Sequence, residues 1–293
     1  MLLSVLALLA AAEPAPQFSL KDGDRVVWLG GTLVEREQRY GHWEAALLAA
    51  HPDKKITFRN LGWSGDTVHG EARGRFDFNS ADKCFKQIVD QTVELKPTVI
   101  FVSYGANESF EGKDGLPKFE KGLEKLLDAL KPTNARVVLF TPTPAEKNAS
   151  LPDAKPRNDA LALYADAIKG VAAKRALPVA DLFSDFQGRY GDERHTDNGL
   201  HFTEAGYKAL AQRFVAQVVP GTSLAGKDQL EPLRKAVVAK NEQFFNKWRP
   251  QNETYLFGFR KHEQGRNAKE IAEFDPFIAK AEDEIAKLLK ELK

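Results

Sequence analysis

The chain has 293 residues, of which 43% are hydrophobic, 28% charged and 10% aromatic; this composition excludes disorder throughout and allows one large core. Lys and Arg number 42 and Asp and Glu 41, so a net charge of +1 offers no overall field for nucleic acid, which we exclude as a partner. The single cysteine, Cys84, excludes an intramolecular disulfide and a cysteine-rich zinc site.

The amino terminus has the pattern of an export signal. A short apolar run at residues 2–9 precedes residues 10–14 (AAAEP), which resemble a small-residue cleavage site. We predict a signal peptide at residues 1–15 and export to the periplasm or the outside of the cell. No basic residue precedes the run, so the alternative is a hydrophobic arm that packs on the domain. The run is too short to span a bilayer, and we expect no stable membrane insertion.

Between residues 25 and 219, β-rich apolar runs alternate with amphipathic helical patterns. This rhythm predicts a flavodoxin-like three-layer α/β/α sandwich around a parallel five-stranded sheet. The predicted strands are 25–29, 56–61, 98–104, 136–141 and 178–182, and the predicted helices are 35–50, 83–95, 117–130, 158–175 and 203–218.

The alternation stops after residue 221. Two amphipathic helices are predicted at 227–246 and 276–293, on either side of an aromatic-rich segment at 248–266. Two helices alone bury little apolar surface, so we expect them to dock on the main body. We therefore divide the chain into the signal peptide at 1–15, an α/β domain at 16–221 and a helical C-terminal extension at 222–293.

Residues that carry chemistry follow the predicted strands. Ligands of open parallel sheets bind beyond the carboxyl ends of the strands, where Thr32, Gly65 and Asn107 follow the first three strands and His201 precedes the last helix of the domain. A hydroxyl at a helix start can attack a carbonyl, and a backbone N–H and an amide can donate to the oxyanion. His201 would carry the proton. This set of groups indicates acyl transfer.

Four motifs at these places resemble the four sequence blocks of the SGNH/GDSL hydrolase family, in order and spacing. They are Gly30-Gly31-Thr32-Leu33, the segment NLGWSGDT at residues 60–67, Gly105-Ala106-Asn107-Glu108, and the segment ending in His201 that precedes Gly206-Tyr207. The resemblance covers about residues 25 to 218. It implies that Thr32 occupies the place of the nucleophilic serine and that Gly65 and Asn107 form the oxyanion hole. The C-terminal extension resembles a segment of some bacterial, planctomycete-type members.

Two departures from the family pattern concern the catalytic residues. Thr32 is a secondary alcohol, so the turn must accommodate its methyl group. The family has an aspartate three residues before the histidine, where this chain has Asn198; Asp197 lies four residues before it. Either Asp197 orients His201 after a one-residue shift, or the Asn198 amide does so, and we favour Asp197.

We assign substrate contacts to Trp63 and Glu108 in the motifs and to Arg260 and His262 in the extension. The aromatic and cationic residues of the extension have two interpretations, a wall that stacks on sugar rings or a cluster that only docks the extension. The histidines are scattered and no metal-binding motif is present, so we predict no metal and no cofactor.

Two functional hypotheses remain open. The first is a metal-free esterase that acts on a small-molecule or glycan ester, such as an O-acetyl group on a carbohydrate. The second is a glycan-binding protein that kept the crevice and lost hydrolysis through the changes at Gly31, Thr32 and Asn198. The sequence does not determine the acyl group, the alcohol or the oligomeric state.

Overall fold

The structure, a computed structural model, describes residues 18–190, 194–222, 224, 230–263 and 266–292. The predicted signal peptide at 1–15 lies outside these residues, and export therefore stays a prediction. Within the described residues, no helix has the length and apolar character needed to cross a membrane.

Five parallel strands form a sheet in the order β2-β1-β3-β4-β5. Trp28 of the first strand lies between Asn60 and Phe101 of its two neighbours. This order is the flavodoxin-like one, in which the direction of sheet growth reverses between β1 and β3 and leaves a crevice there. The predicted α/β sandwich is thus confirmed. The strands are β1 (Arg25–Gly30), β2 (Thr57–Asn60), β3 (Val99–Ser103), β4 (Arg136–Phe140) and β5 (Val179–Ala180).

Helices cover both faces of the sheet and continue into the C-terminal extension. Those of the described α/β part are α1 (Thr32–Tyr40), α2 (His42–Ala49), α3 (Ala81–Glu94), α4 (Leu116–Leu130), α5 (Lys155–Arg175), α6 (Leu182–Phe186) and α7 (Glu204–Val218). Those described in the extension are α8 (Glu231–Trp248), α9 (Glu253–Leu256) and α10 (Phe274–Glu291).

The predicted helix at 35–50 is divided into α1 and α2 at Gly41. Gly41 has φ +66°, a left-handed conformation that ends α1. A Cβ atom at this position would lie 3.0 Å from Val238 and 3.2 Å from Val237 of α8. The prediction of a single helix at 35–50 was therefore wrong. The helical period of the sequence does not reveal that α8 packs against the bend at Gly41.

The core occupies both faces of the sheet. Along β1, Val26 and Trp28 enter one apolar layer, and Val27 and Leu29 enter the other, as the alternation of a strand requires. In the first layer the Trp28 ring stacks on Phe214 of α7, with ring centroids 5.5 Å apart. This packing fixes the strand from which the first functional loop leaves.

The C-terminal extension covers the edge strand β2. Lys240 of α8 is buried and donates to Glu44 Oε1 of α2 at 2.6 Å and to the Phe58 carbonyl of β2 at 3.1 Å. Arg59 of β2 pairs with Glu282 of α10 at 2.6 Å. These contacts join the extension to the sheet, while the domain boundary at residue 221 stays a prediction.

Candidate active site

The four motifs line one cleft at the carboxyl end of the sheet. This cleft has a volume of about 80 Å³, and Thr32, Asn107 and His201 all contribute to its lining. The first leaves β1, the second follows β3, and the third lies in the loop before α7. Sequence positions up to 169 residues apart therefore meet where the sheet order reverses.

Thr32 is the first residue of α1, directly after the N-cap residue Gly31. Its backbone N–H belongs to the first turn, where intrahelical acceptors are lacking, and the helix dipole favours negative charge at this end. The close approach to β3 depends on Gly30, because a Cβ atom there would lie 2.5 Å from the Ser103 carbonyl oxygen. The half-buried Thr32 hydroxyl is thus placed where developing negative charge is stabilised.

The loop after β2 brings one donor to Thr32, and Asn107 from the loop after β3 holds that loop. The Gly65 N–H donates to Thr32 Oγ1 at 3.4 Å, and Asn107 Nδ2 donates to the Gly65 carbonyl at 2.9 Å. The loop lies against α1 because Gly62 has no side chain; a Cβ atom there would lie 2.3 Å from the Glu35 nitrogen. Gly65 therefore contacts the hydroxyl, and Asn107 contacts Gly65 and lines the same cleft.

A buried ion pair holds the Gly65 loop, and the sequence did not identify it. Asp66 Oδ2 accepts from Arg73 Nε at 2.7 Å and from the Tyr104 hydroxyl at 2.8 Å. Arg73 is fully buried, and its other nitrogens reach the Leu61 carbonyl and Gln91. Because Asp66 follows Gly65 directly, this network fixes the backbone that presents the Gly65 N–H.

The structure places Asn198, and not the favoured Asp197, against the imidazole. Asn198 Nδ2 lies 3.3 Å from His201 Nδ1. Asp197 Oδ2 instead pairs with Arg36 of α1 at 2.6 Å. The one-residue shift does not occur because Asn198 Oδ1 accepts the N–H groups of Leu200 and His201, which ties the amide into the turn.

The charges around His201 act on its pKa. Burial lowers the pKa of the imidazole below its usual value, the Arg36 charge lowers it further, and Asp197 opposes both. The neutral form, which is the form that can accept a proton, is therefore present at neutral pH.

Glu146 holds the loop that contains His195 and His201. Its carboxylate is buried and accepts the N–H groups of His195 at 2.8 Å and Thr196 at 2.7 Å. The Glu146 N–H donates to the Gly199 carbonyl at 2.8 Å. No local pattern marks Glu146, since its partners lie about 50 residues away along the chain.

Glu108 lines the cleft, but its carboxylate faces the backbone. Its two oxygens accept the N–H groups of Val68 at 2.9 Å and Gly105 at 2.8 Å. Burial raises the pKa of Glu108 to about 7, and these donors oppose the rise. Its carboxylate joins the Gly65 and Asn107 loops, and its contact with a substrate stays a prediction.

The other three predicted substrate contacts lie outside the cleft lining. Trp63 packs against Trp248, with ring centroids 5.8 Å apart, and carries the Arg249 guanidinium at 3.6 Å from its ring centroid. Arg260 pairs with Glu263 and lies over the Tyr255 ring, and His262 is exposed. Arg249 and Arg73 occupy the ring faces of Trp63, so Trp63 docks the end of α8, whereas the contacts of Arg260 lie within the extension.

No group of three or more His, Cys, Asp or Glu side chains within the described ranges is arranged to hold a metal ion. The groups at the cleft are a hydroxyl, an imidazole, an amide and backbone N–H groups, which suit acyl transfer.

The model of the GDSL-like lipase/acylhydrolase family matches residues 23–209. The chain belongs to this family. Members of this family hydrolyse esters, so the protein is an esterase of the SGNH/GDSL type. The matched residues contain all four motifs and the cleft. A comparison with curated protein sequences found no match.

Solved structures similar to this GDSL-type chain share its fold. A catalytic mutant of Axe2, an acetylxylan esterase from Geobacillus stearothermophilus, has a TM-score of 0.54 and 18% identity, over 69% of this chain and 96% of that one. LAE5, an α/β hydrolase enzyme from the metagenome of Lake Arreo, Spain, has a TM-score of 0.52 and 21% identity, over 68% and 96%. At these identities the likeness concerns the fold.

Proposed function

We propose that this esterase removes acetyl groups from a carbohydrate, with Thr32 as the nucleophile. The observation that carries the proposal is the contact of Thr32 Oγ1 with the Gly65 N–H in a cleft shared with Asn107 and His201. A volume of about 80 Å³ suits a small acyl group. The acetylxylan esterase among the structural neighbours supports a sugar acetate as the substrate class.

The proposed reaction has two halves. The Thr32 hydroxyl attacks the ester carbonyl, and His201 takes its proton; the collapse of the tetrahedral intermediate releases the sugar alcohol, which receives that proton. Water then attacks the acetyl-Thr32 ester with His201 again as base; the second tetrahedral intermediate breaks the bond to Thr32 Oγ1, which receives the proton from His201, and acetate is released. The N–H groups of Thr32 and Gly65 and the Asn107 amide stabilise the oxyanion in both halves.

One observation favours the second hypothesis, a glycan-binding protein without turnover. The Asn198 oxygen is engaged by two backbone N–H groups, so its NH₂ group faces His201 Nδ1. An amide NH₂ donates to an unprotonated ring nitrogen, which leaves the proton on Nε2. A general base needs Nε2 free, so this contact opposes catalysis.

Hydrolysis of short-chain aryl esters and acetylated sugars by three proteins separates the hypotheses. We expect measurable kcat/KM for the wild type, a loss of about three orders of magnitude or more in Thr32→Ala, and a gain in Thr32→Ser, whose primary hydroxyl lacks the obstructing methyl group. A wild type that is inert while Thr32→Ser hydrolyses would show that the site has lost hydrolysis, as the second hypothesis requires. Equal turnover by the wild type and Thr32→Ala would eliminate Thr32 as nucleophile.

Export belongs to the same proposal. A signal peptide at residues 1–15 would place the enzyme where polymeric carbohydrates are found, in the periplasm or outside the cell.

A further inference from the structure

Arg157 is a cation in the wall of the cleft that the proposed reaction does not use. It is the third residue of α5 and lines the same cleft as Thr32 and His201. One terminal nitrogen, Nη2, donates to the Ala106 carbonyl and to Ser109 Oγ, each at 2.7 Å. Arg157 therefore sits beside the loop that presents Asn107.

The charge of Arg157 has no carboxylate partner. Among the described residues no Asp or Glu oxygen lies within 4.0 Å of it, whereas the buried Arg73 pairs with Asp66 at 2.7 Å. Among the described residues, the buried Nε of Arg157 has no acceptor. Nη2 is the one nitrogen of its guanidinium that donates hydrogen bonds to them. Burial lowers the pKa of Arg157 to about 10, so the side chain remains a cation at neutral pH.

The other charged groups of the cleft are already compensated. Asp66 is held by Arg73 and Tyr104, and Glu108 by two backbone N–H groups. Phe110, whose side chain is 66% exposed, lies under the Arg157 guanidinium at 3.7 Å from its ring centroid. This stacking fixes the plane of the cation and leaves its unused donors without an internal anion.

We propose that Arg157 binds a carboxylate of the substrate, so that the preferred carbohydrate contains a uronic acid near the acetylated sugar. Nη2 already gives its two N–H groups to Ala106 and Ser109 and Nε is buried, so Nη1 is the nitrogen that can donate to a carboxylate. A half-buried cation without a counter-ion gains more from such a pair than an exposed one does. The proposal names the substrate class of the proposed esterase and rests on that function for turnover, but the binding step can be measured without hydrolysis.

Calorimetry on the Thr32→Ala protein isolates the binding step. The probes are the trisaccharides of galacturonic acid and of galactose, which differ by the carboxylate at C6. We expect the uronide to bind on the order of tenfold more tightly than the neutral sugar, with a preference that declines as NaCl is added. Adding Arg157→Gln should abolish the preference, and Arg157→Lys should restore part of it.

Lys155→Gln is the matched control, because it removes one positive charge two residues away on α5, where Lys155 pairs with Asp159 on the surface. This variant should keep the preference for the uronide. Equal affinity for the two sugars, no binding of the uronide, or equal losses for both sugars in Arg157→Gln would overturn the proposal and leave Arg157 as an anchor of the Asn107 loop. Ester hydrolysis by the wild type would be unaffected by that result, so the two proposals fail separately.

Discussion

Asn198 is the side chain that contacts the Nδ1 nitrogen of His201. In the structure its NH₂ group faces Nδ1 at 3.3 Å, and the amide cannot turn over without placing NH₂ against the N–H groups of Leu200 and His201. A carboxylate at this position would accept from Nδ1–H, free Nε2 for the hydroxyl and stabilise the imidazolium. A substitution at position 198 is therefore expected to raise the activity of this chain.

We predict that Asn198→Asp raises kcat/KM by about two to four orders of magnitude, because it favours the tautomer that a general base requires. The new negative charge also raises the pKa of His201, which burial and Arg36 now lower. Since activity needs the neutral imidazole, the acidic limb of the pH profile of kcat/KM should move to higher pH.

Asp197→Asn is the control for this experiment. It removes the charge that raises the pKa of His201, so the acidic limb should move to lower pH. Asp197 pairs with Arg36 and not with the ring, so the plateau should change far less than in Asn198→Asp. A kcat/KM for Asn198→Asp that equals or falls below the wild-type value would show that the tautomer does not limit the reaction.

The sequence predicted which residues meet at the cleft better than it predicted their partners. Thr32, Gly65, Asn107 and His201 follow from their positions after strands and from the family motifs. The choice between Asp197 and Asn198 did not follow, because Arg36, which draws Asp197 away, lies 161 residues earlier. The unpaired charge at Arg157 has no local signal for the same reason.

At the scale of elements, the end of α8 is joined to α1, which begins at Thr32, and through α1 to the loop that contains Gly65. Arg249, which caps α8, pairs with Glu35 Oε2 at 2.9 Å, and the same oxygen accepts the Ser64 N–H at 2.5 Å. Its guanidinium also covers Trp63. Glu35 lies one turn after Thr32, and Ser64 precedes Gly65, so the C-terminal extension fixes the distance between hydroxyl and donor.

We predict that Arg249→Met lowers kcat about tenfold with a smaller change in KM, because a displacement of about 1 Å at the reacting groups can cost as much as a hundredfold. The free energy of unfolding should fall by about 1 to 3 kcal/mol, because Glu35 loses the closer of its two arginine partners, Arg249, and keeps only the longer contact with Arg39. Steady-state kinetics and urea unfolding measure the two effects.

Arg260→Met is the matched control, because this arginine belongs to the extension but forms only a local pair with Glu263 and stacks on Tyr255. Its kcat should equal that of the wild type, and its stability should change by less than about 0.5 kcal/mol. If Arg249→Met loses stability and keeps its kcat, Arg249 only docks the extension.

The elements themselves were largely predictable. Alternating apolar runs gave all five strands, and the helical period gave the main helices. The break at Gly41 was missed because it depends on packing against α8. The short helix α6 was missed although Asp181 caps it locally through Ser184, because the predicted strand at 178–182 extended into its first residue. The position of Trp63 also depends on a distant element. Its motif predicted a place near the substrate, but Arg249 holds it against the extension.

At the scale of the whole molecule, the reversal of sheet order between β1 and β3 brings the four motifs to one cleft. The alternation of elements predicted this arrangement, while the way the extension covers β2 depends on the buried pair of Lys240 and Glu44. We propose that this assembly makes the Thr32 hydroxyl a nucleophile.

Labelling with a fluorophosphonate, followed by mass spectrometry of the peptides, tests that claim most directly. The reagent forms a covalent adduct with a hydroxyl that a neighbouring base activates, and its phosphonyl oxygens occupy the place of the oxyanion. We predict an adduct on Thr32 that is absent from Thr32→Ala and strongly reduced in His201→Ala. An adduct on Ser64 or on Ser103, which also lines the cleft, in a protein that hydrolyses the ester would contradict the account.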